Sequence, residues 1–289
     1  MTDVISHPDK VLFPEDGITK GELAEYYETV GAHMVPQIAG RPVTMERYPS
    51  GIGHGGFLQK DVSKGFPSWL ERVEVPKKGG TVRYPLVNDL RALLWMANQN
   101  CVTPHVWTSR VPRLHKPDLC VFDLDPSADA PDILRSATMA VRDVLAEIGL
   151  PSWVKTSGSK GFHIVVPLDG SSDFEEVATF AGAVGALLVK RDPEHLTLEF
   201  LKTDRAGRIY VDVGRNGPSA TFAAPYAVRA KAGAPVSAPC TWEEVASGSV
   251  GPRTFALRDM AQRLRDVGDL WRDVPKHAQS LAPALRALS

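Results

Sequence analysis

The sequence predicts an α+β fold in which mixed or antiparallel sheets are flanked by helices, and three observations carry that reading. Strand-like and helix-like segments follow one another in a mixed order, not in regular βαβ alternation. The chain has 289 residues, 43% hydrophobic and 23% charged, which is enough apolar material for a sizeable core and argues against a disordered chain or a coiled coil. No repeat, heptad run or low-complexity linker interrupts it, so residues 1–289 are expected to form a single domain with no clean cut.

The first element is a helix over about 20–33. An opening that runs from His7-Pro8 to Gly17 precedes Thr19, a good N-cap, and Glu22 completes a capping-box pattern ahead of Leu23, Tyr26 and Tyr27. From Arg41 to Val87 short apolar runs (Pro42 to Met45, Val73 to Val75, Val82 to Tyr84) are broken by Gly and Pro, the pattern of strands joined by loops. Residues 89–98 read as a helix, with Leu90, Leu93, Leu94 and Ala97 at helical spacing. A buried strand over 119–124 leads to a helix over about 132–148, on which Ile133, Ala137, Val141, Val144, Leu145 and Ile148 are apolar. Strands over 153–156 and 162–167 flank a Gly-rich turn, a helix covers about 174–189, and strands follow at 197–200 and 209–213. The last clear helix is expected over 256–271.

Charge and cysteine usage narrow the function classes. Lys and Arg number 33 against 34 Asp and Glu, a net charge of −1 that removes the footprint of a histone-like or polybasic membrane-binding protein. Within 41–120, however, 12 Lys and Arg stand against 6 Asp and Glu, so a local basic face is expected there. Cys101, Cys120 and Cys240 are odd in number and widely spaced, which offers neither a disulfide framework nor a metal clip and suits buried thiols. The opening residues lack the apolar core of a signal peptide, and the longest apolar stretch, Phe180 to Val189, is too short to span a bilayer. The expectation is a soluble, cytoplasmic protein with no membrane partner.

Chemistry concentrates in three places. In Cys120-Val121-Phe122-Asp123-Leu124-Asp125-Pro126 strand alternation puts Asp123 and Asp125 on one face and Phe122 and Leu124 on the other. Two carboxylates ending an apolar strand repel one another, and a divalent cation between them relieves that repulsion; an oxygen-rich, sulfur-free setting suits Mg²⁺ or Mn²⁺. Solvated strand-end aspartates are the plain alternative. Asp212, between Val211 and Val213, is a third carboxylate on an apolar strand; by itself it reads as a strand-end acid, but three acids from two strands can hold two ions that activate a 3′-hydroxyl and stabilise a leaving pyrophosphate. In Lys155-Thr156-Ser157-Gly158-Ser159-Lys160-Gly161-Phe162-His163 two glycines permit a tight turn whose N–H groups can face an anion, with hydroxyls and Lys160 beside them. An exposed hairpin turn would read the same way. A strand follows it and GxxxxGK[ST] is absent, so it is not a Walker A loop. His163 is placed to lean toward the same phosphates.

Asp-Leu-Asp-Pro, Ser-Gly-x-Lys-Gly-x-His and a strand Asp, in that order, resemble the three motifs of archaeo-eukaryotic primase-type polymerases. More narrowly, the chain is similar to the polymerase domain of bacterial DNA ligase D, which serves non-homologous end joining. The likeness runs from His7-Pro8-Asp9-Lys10 through Trp107-Thr108-Ser109-Arg110 to Ala224-Pro225-Tyr226 and Arg229. It implies a primase-polymerase-like fold with a DNA-binding part at about 1–115 and a catalytic part at about 116–289. It also implies that Asp123, Asp125 and Asp212 bind two divalent ions, Mn²⁺ or Mg²⁺. Ser157, Lys160, His163 and Arg229 match residues around an NTP or dNTP, and His105 and Arg47 fall near that nucleotide. Lys10 and Lys20 match a lysine pair that grips the 5′-phosphate downstream of a gap, and Phe57 matches an aromatic stacked on the template side. Without the resemblance these lysines read as solvated and Phe57 as a core aromatic.

Three positions depart from the family pattern. Leu58 stands where a second aromatic is expected, Glu46 where a lysine is common, and Arg215 where glutamine is frequent. No Lys-x-Asp-Gly ligase nucleophile occurs, so a free-standing or excised polymerase domain is expected. The function implied is template-directed extension of DNA 3′ ends at gaps and double-strand breaks by two-metal catalysis, close to the nucleoid, with a DNA ligase and a Ku-type end-binding protein as partners. The alternatives are a metal-dependent phosphatase with Asp123 as nucleophile, which leaves Asp212 and the Gly-Ser-Lys turn without a role, and a non-catalytic DNA-end-binding module.

Overall fold

A computed structural model describes residues 5–62 and 65–288. In chain order it opens with β1 (Val11–Phe13), β2 (Ile18–Thr19), α1 (Lys20–Ile38), β3 (Val43–Arg47), β4 (Phe57–Gln59), β5 (Arg72–Lys77), β6 (Gly80–Pro85), α2 (Leu90–Asn98) and β7 (Cys101–Trp107). Next come β8 (Leu119–Pro126), α3 (Pro131–Glu147), β9 (Trp153–Thr156), β10 (Phe162–Pro167), α4 (Phe174–Arg191), β11 (Leu196–Thr197) and β12 (Ile209–Asp212). The remainder gives β13 (Thr221–Ala223), β14 (Pro239–Cys240), α5 (Trp242–Ser247), α6 (Met260–Val267) and α7 (Ala282–Ala287). This is the mixed α/β architecture expected. Among the described residues no helix is long and apolar enough to cross a membrane, and all three cysteines are buried and free.

The chain divides into two compact units. The first takes the chain up to Pro112 together with Thr221–Ala238 and Phe255–Asp269; the second takes Arg113–Ala220, Pro239–Thr254 and the chain from Leu270. In the first unit β13, β7, β3 and β4 form an antiparallel sheet, while β1–β2 and β5–β6 are separate hairpins. Helix α1 starts as its sequence dictates: the Thr19 hydroxyl accepts from Glu22 N–H and the Glu22 carboxylate accepts from Thr19 N–H. Its buried tyrosines tie it to the backbone, Tyr27 Oη donating to Val102 O at 2.7 Å and Tyr26 Oη to Tyr226 O at 2.6 Å. Gly31 lets it approach α2, since a Cβ there would stand 2.6 Å from Leu90 Cδ1.

The second unit is built on a six-stranded sheet in the order β11-β12-β8-β10-β9-β14, antiparallel except for the β11–β12 pair. Helices α3 and α4 pack on each other and both reach β8. Phe122 of β8 meets Phe180 of α4 edge-on with ring centroids 6.5 Å apart, so the even-numbered side chains of β8 face the helical layer. Strand alternation then sends Asp123 and Asp125 to the opposite face, as their spacing predicts.

Several boundaries differ from expectation for identifiable reasons. Helix α1 runs on to Ile38 and carries Pro36 in its last turn. The strand expected at 197–200 is only Leu196–Thr197, because Phe200 and Leu201 are turned out to solvent at 72% and 58% exposure. The helix expected over 256–271 is a 3₁₀ turn at Leu257–Asp259 followed by α6, which stops at Gly268, a residue with φ +70°.

Gly161 couples sequence to sheet most tightly, for a Cβ there would lie 1.7 Å from Leu124 O of β8. Gly161→Ala is expected to destabilise the protein by about 1–3 kcal/mol in urea unfolding. Gly182→Ala in α4, where a Cβ meets nothing within 4 Å, should be neutral or stabilising by up to about 1 kcal/mol. Equal midpoints for wild type and Gly161→Ala would contradict the close approach.

Candidate active site

The twelve expected site residues fall evenly between the two units, six on each. On the second unit the strand register sets Asp212 opposite Asp123, Asp123 opposite His163, and His163 opposite Lys155. Four adjacent strands therefore present one lateral row on the face away from α3 and α4: Asp212, Asp123, His163, Lys155. Lys155 and His163 are buried, and Lys155 Nζ lies 2.6 Å from His163 Nδ1. An ammonium can only donate, so Nδ1 accepts and the ring proton belongs on Nε2, which faces Asp123 Oδ1 at 3.4 Å.

Directly opposed like charges destabilise a sheet, and here one guanidinium answers them. Arg215 Nε lies 3.3 Å from Asp123 Oδ2 and 3.1 Å from Asp212 Oδ2. Burial pushes the Asp123 carboxyl up, but His163 and the charges of Arg215 and Lys155 outweigh it and hold Asp123 well below the usual carboxylate range. Asp212 goes the other way: burial, with the charge of Asp123 added, raises its pKa despite Arg215. Arg215 is held in place by its neighbour. Buried Asn216 accepts from Val121 N–H at 2.8 Å and donates to Val121 O at 2.7 Å, so its amide continues the pairing of β8 where β12 ends.

Asp125, two residues along the same strand face, is paired elsewhere. Arg205 Nη1 lies 2.9 Å from Asp125 Oδ2 and its guanidinium stacks 4.4 Å from the centroid of Tyr210, the residue opposite Asp125. Among the described residues no three His, Cys, Asp or Glu side chains converge on a point that could hold a metal ion. The donor chemistry nonetheless fits a hard divalent ion: two opposed carboxylates, oxygen donors only, one with its charged form disfavoured until a cation is near.

The turn at Ser157–Gly161 is a hairpin between β9 and β10 that its own serine closes. Ser157 Oγ accepts from Ser159 N–H and Gly161 N–H, both at 3.1 Å, and Gly158 takes φ +62°. Two of the N–H groups expected to face an anion are therefore engaged inside the turn. What it offers a ligand is chiefly the exposed Lys160 ammonium.

On the first unit His105 of β7 and Glu46 of β3 share a sheet face, with His105 Nε2 2.9 Å from Glu46 Oε2 and Tyr48 Oη donating to Glu46 Oε1 at 2.7 Å. Burial alone would raise the Glu46 pKa, but these hydrogen bonds and the charges of His105 and Arg229 bring it down to about 2. His105, Arg229 and Glu46 thus form one cluster. Arg47 points its Nε to Gln99 O at 2.8 Å and sits 5.4 Å from the Phe57 ring, which is 48% exposed and so not a core aromatic. Lys10 and Lys20 come together as well. Lys20 N–H donates to Lys10 O at 2.8 Å, Lys10 Nζ donates to Pro49 O, and Lys20 Nζ to Ser6 O at 2.6 Å. Burial and then the Lys10 charge lower the Lys20 pKa.

Sequence reasoning had not assigned Lys155, Arg205 or Asn216. A lysine inside the apolar run Trp153 to Thr156 was a signal for the first; the other two reach their partners across 80 and 95 residues.

Residues 19–271 match the family model described as LigD, primase-polymerase domain. The chain is 35% identical over 269 residues to the multifunctional non-homologous end joining protein LigD of Mycolicibacterium smegmatis, covering 92% of this chain and 35% of that protein. It is 32% identical to the Pseudomonas aeruginosa protein of the same name, over 98% of this chain and 34% of that one. The chain thus spans about a third of the length of these curated relatives. A solved structure of the polymerase domain from Mycobacterium tuberculosis Ligase D in complex with DNA superposes with a TM-score of 0.90 at 34% identity, over 96% of this chain and all of that one.

The Glu46 cluster predicts an acid dependence of stability. A folded pKa of about 2 against an ordinary 4.5 means a contribution complete above about pH 4.5 and lost as the pH falls toward 2. Urea unfolding from about pH 5 down to about pH 2.5 should cost wild type on the order of 1–3 kcal/mol more than Glu46→Gln. Parallel pH profiles for the two proteins would contradict the cluster.

Proposed function

The chain belongs to the LigD primase-polymerase family, and we propose that it is a template-directed nucleotidyltransferase that extends DNA 3′ ends at gaps and double-strand breaks in non-homologous end joining. The observation that carries this reading is the Asp123–Asp212 pair, two carboxylates opposed on adjacent strands next to the strand that bears His163 and the Lys160 turn. A phosphatase built on Asp123 alone would have no use for its opposed partner.

Asp123 and Asp212, with Asp125 on the same strand face, would hold two divalent ions, Mn²⁺ or Mg²⁺. Bound there, such ions lower the cost of forming the 3′-alkoxide and neutralise charge on the triphosphate. The protein's own part is orientation. Lys155 fixes the tautomer of His163, whose Nε2 proton then steadies Asp123 and faces the reacting phosphates, while Lys160 grips the triphosphate of an NTP or dNTP. Ser157 shapes the turn that presents Lys160. Arg229, His105 and Arg47 add donors toward the nucleotide, and the exposed Phe57 ring stacks on the template side. Lys10 and Lys20 take the 5′-phosphate downstream of the gap, for two neighbouring ammonium groups favour a dianionic terminal phosphate over a hydroxyl. A DNA ligase and a Ku-type end-binding protein would be its partners, in the cytoplasm close to the nucleoid.

The test is filling of a labelled gapped duplex with Mn²⁺ or Mg²⁺ and each nucleotide type, the gap ending in a 5′-phosphate or a 5′-hydroxyl. Asp123→Ala and Asp212→Ala should abolish extension while the fold persists by circular dichroism. Wild type should favour the 5′-phosphate by roughly tenfold to a hundredfold, and Lys10→Ala/Lys20→Ala should lose that preference. A folded Asp212→Ala protein extending at the wild-type rate would overturn the two-metal reading, and equal use of both ends by wild type would overturn the role of the lysine pair.

A further inference from the structure

A cavity of about 670 Å³ opens on the second unit beside the Ser157–Gly161 turn and shares with the site above only Ser159 and Lys160 of that turn. It is lined by Pro126, which shares the strand face of Phe122 and Leu124, and by Leu134 of α3. That places it on the helical side of the sheet, across the turn from Asp123 and Asp212. Lys160 and Arg253 border it together. Arg253 is exposed, and its Nε donates to Ser159 O at 2.8 Å, which ties the guanidinium to the turn and leaves its remaining N–H groups free of any acidic partner among the described residues. Lys160 likewise has no acidic partner there, and Asp129 is the one carboxylate in the lining.

Two cations against one acid favour an anion, and the apolar wall of Pro131, Leu134 and Pro252 suits an organic group attached to it. The volume is that of a small-molecule pocket. A nucleic-acid strand would need cations repeated along a track with aromatic platforms between them, and this cavity has neither. We propose that it is a second nucleotide site, separate from the carboxylate face, which binds the phosphates of a free nucleoside polyphosphate through Arg253 and Lys160. This rests on the polymerase reading in one respect: Lys160 serves both sides of the turn, so an occupant here draws it from the triphosphate on the other face.

The test is equilibrium binding of ATP to the full chain in EDTA, which removes the divalent ions through which the carboxylate face would hold a triphosphate. Wild type should bind ATP saturably at one site. Arg253→Gln should weaken binding at least tenfold, Arg253→Lys should retain most of it, and Asp129→Asn should tighten it several-fold by removing the opposing charge. Both substituted residues, Arg253 and Asp129, are exposed, so each variant should keep the fold. No saturable ATP binding in EDTA, unchanged affinity in Arg253→Gln, or displacement of ATP by a ten-residue thymidine oligonucleotide at lower concentration than by free nucleotide would overturn the site. Primer extension by the same wild-type preparation reports separately on the polymerase reading.

Discussion

Asp123 and Asp212 stand directly opposite one another on neighbouring strands, and the carboxylate face is organised around that repulsion. Two unit charges about 5 Å apart at an effective dielectric constant near 20 repel by about 3 kcal/mol, a sizeable share of a domain's net stability. The protein answers with cations on both flanks. Arg215 bridges the two acids from one side, and the His163–Lys155 couple backs Asp123 from the other. Next to Arg215, the amide of Asn216 pairs with both backbone groups of Val121 and ties the turn that carries the arginine to β8. On the proposed reading a divalent ion would take over the part that the Arg215 guanidinium plays between the two carboxylates.

The first unit shows the opposite balance. Where the resemblance leads to the expectation of a lysine this chain has Glu46: His105 and Tyr48 hydrogen-bond its carboxylate and Arg229 adds a favourable charge. Two residues expected to serve the nucleotide are therefore already in the field of a built-in anion. If these residues serve a nucleotide as proposed, its phosphates would compete with that carboxylate for them. The basic excess over 41–120 is consistent with a DNA-facing surface, and Glu46 is one of its few acids.

Much of this was legible in the sequence where the signal is local. The Asp123/Asp125 alternation, the Thr19–Glu22 capping box, the strands at 153–156 and 162–167 and the glycine turn between them are all observed. Signals spanning a few residues were also present for α5, where Thr241 and Glu244 form a capping box around a short helix that hydrophobic periodicity does not flag. What could not be read was register. Lys155 becomes the partner of His163 only because β9 and β10 pair as they do, and Arg205 finds Asp125 across 80 residues. The order of strands in the sheet, and the return of 221–238 and 255–269 to the first unit, depend on long-range packing that no local pattern encodes.

Crystals of the protein soaked in Mn²⁺ and measured at the manganese absorption edge test the central claim most directly. The account predicts an anomalous peak at roughly 2.0–2.3 Å from carboxylate oxygens of both Asp123 and Asp212, with the Arg215 guanidinium withdrawn from between them. Manganese absent from the pair at saturating concentration, with Arg215 still bridging both acids, would contradict it.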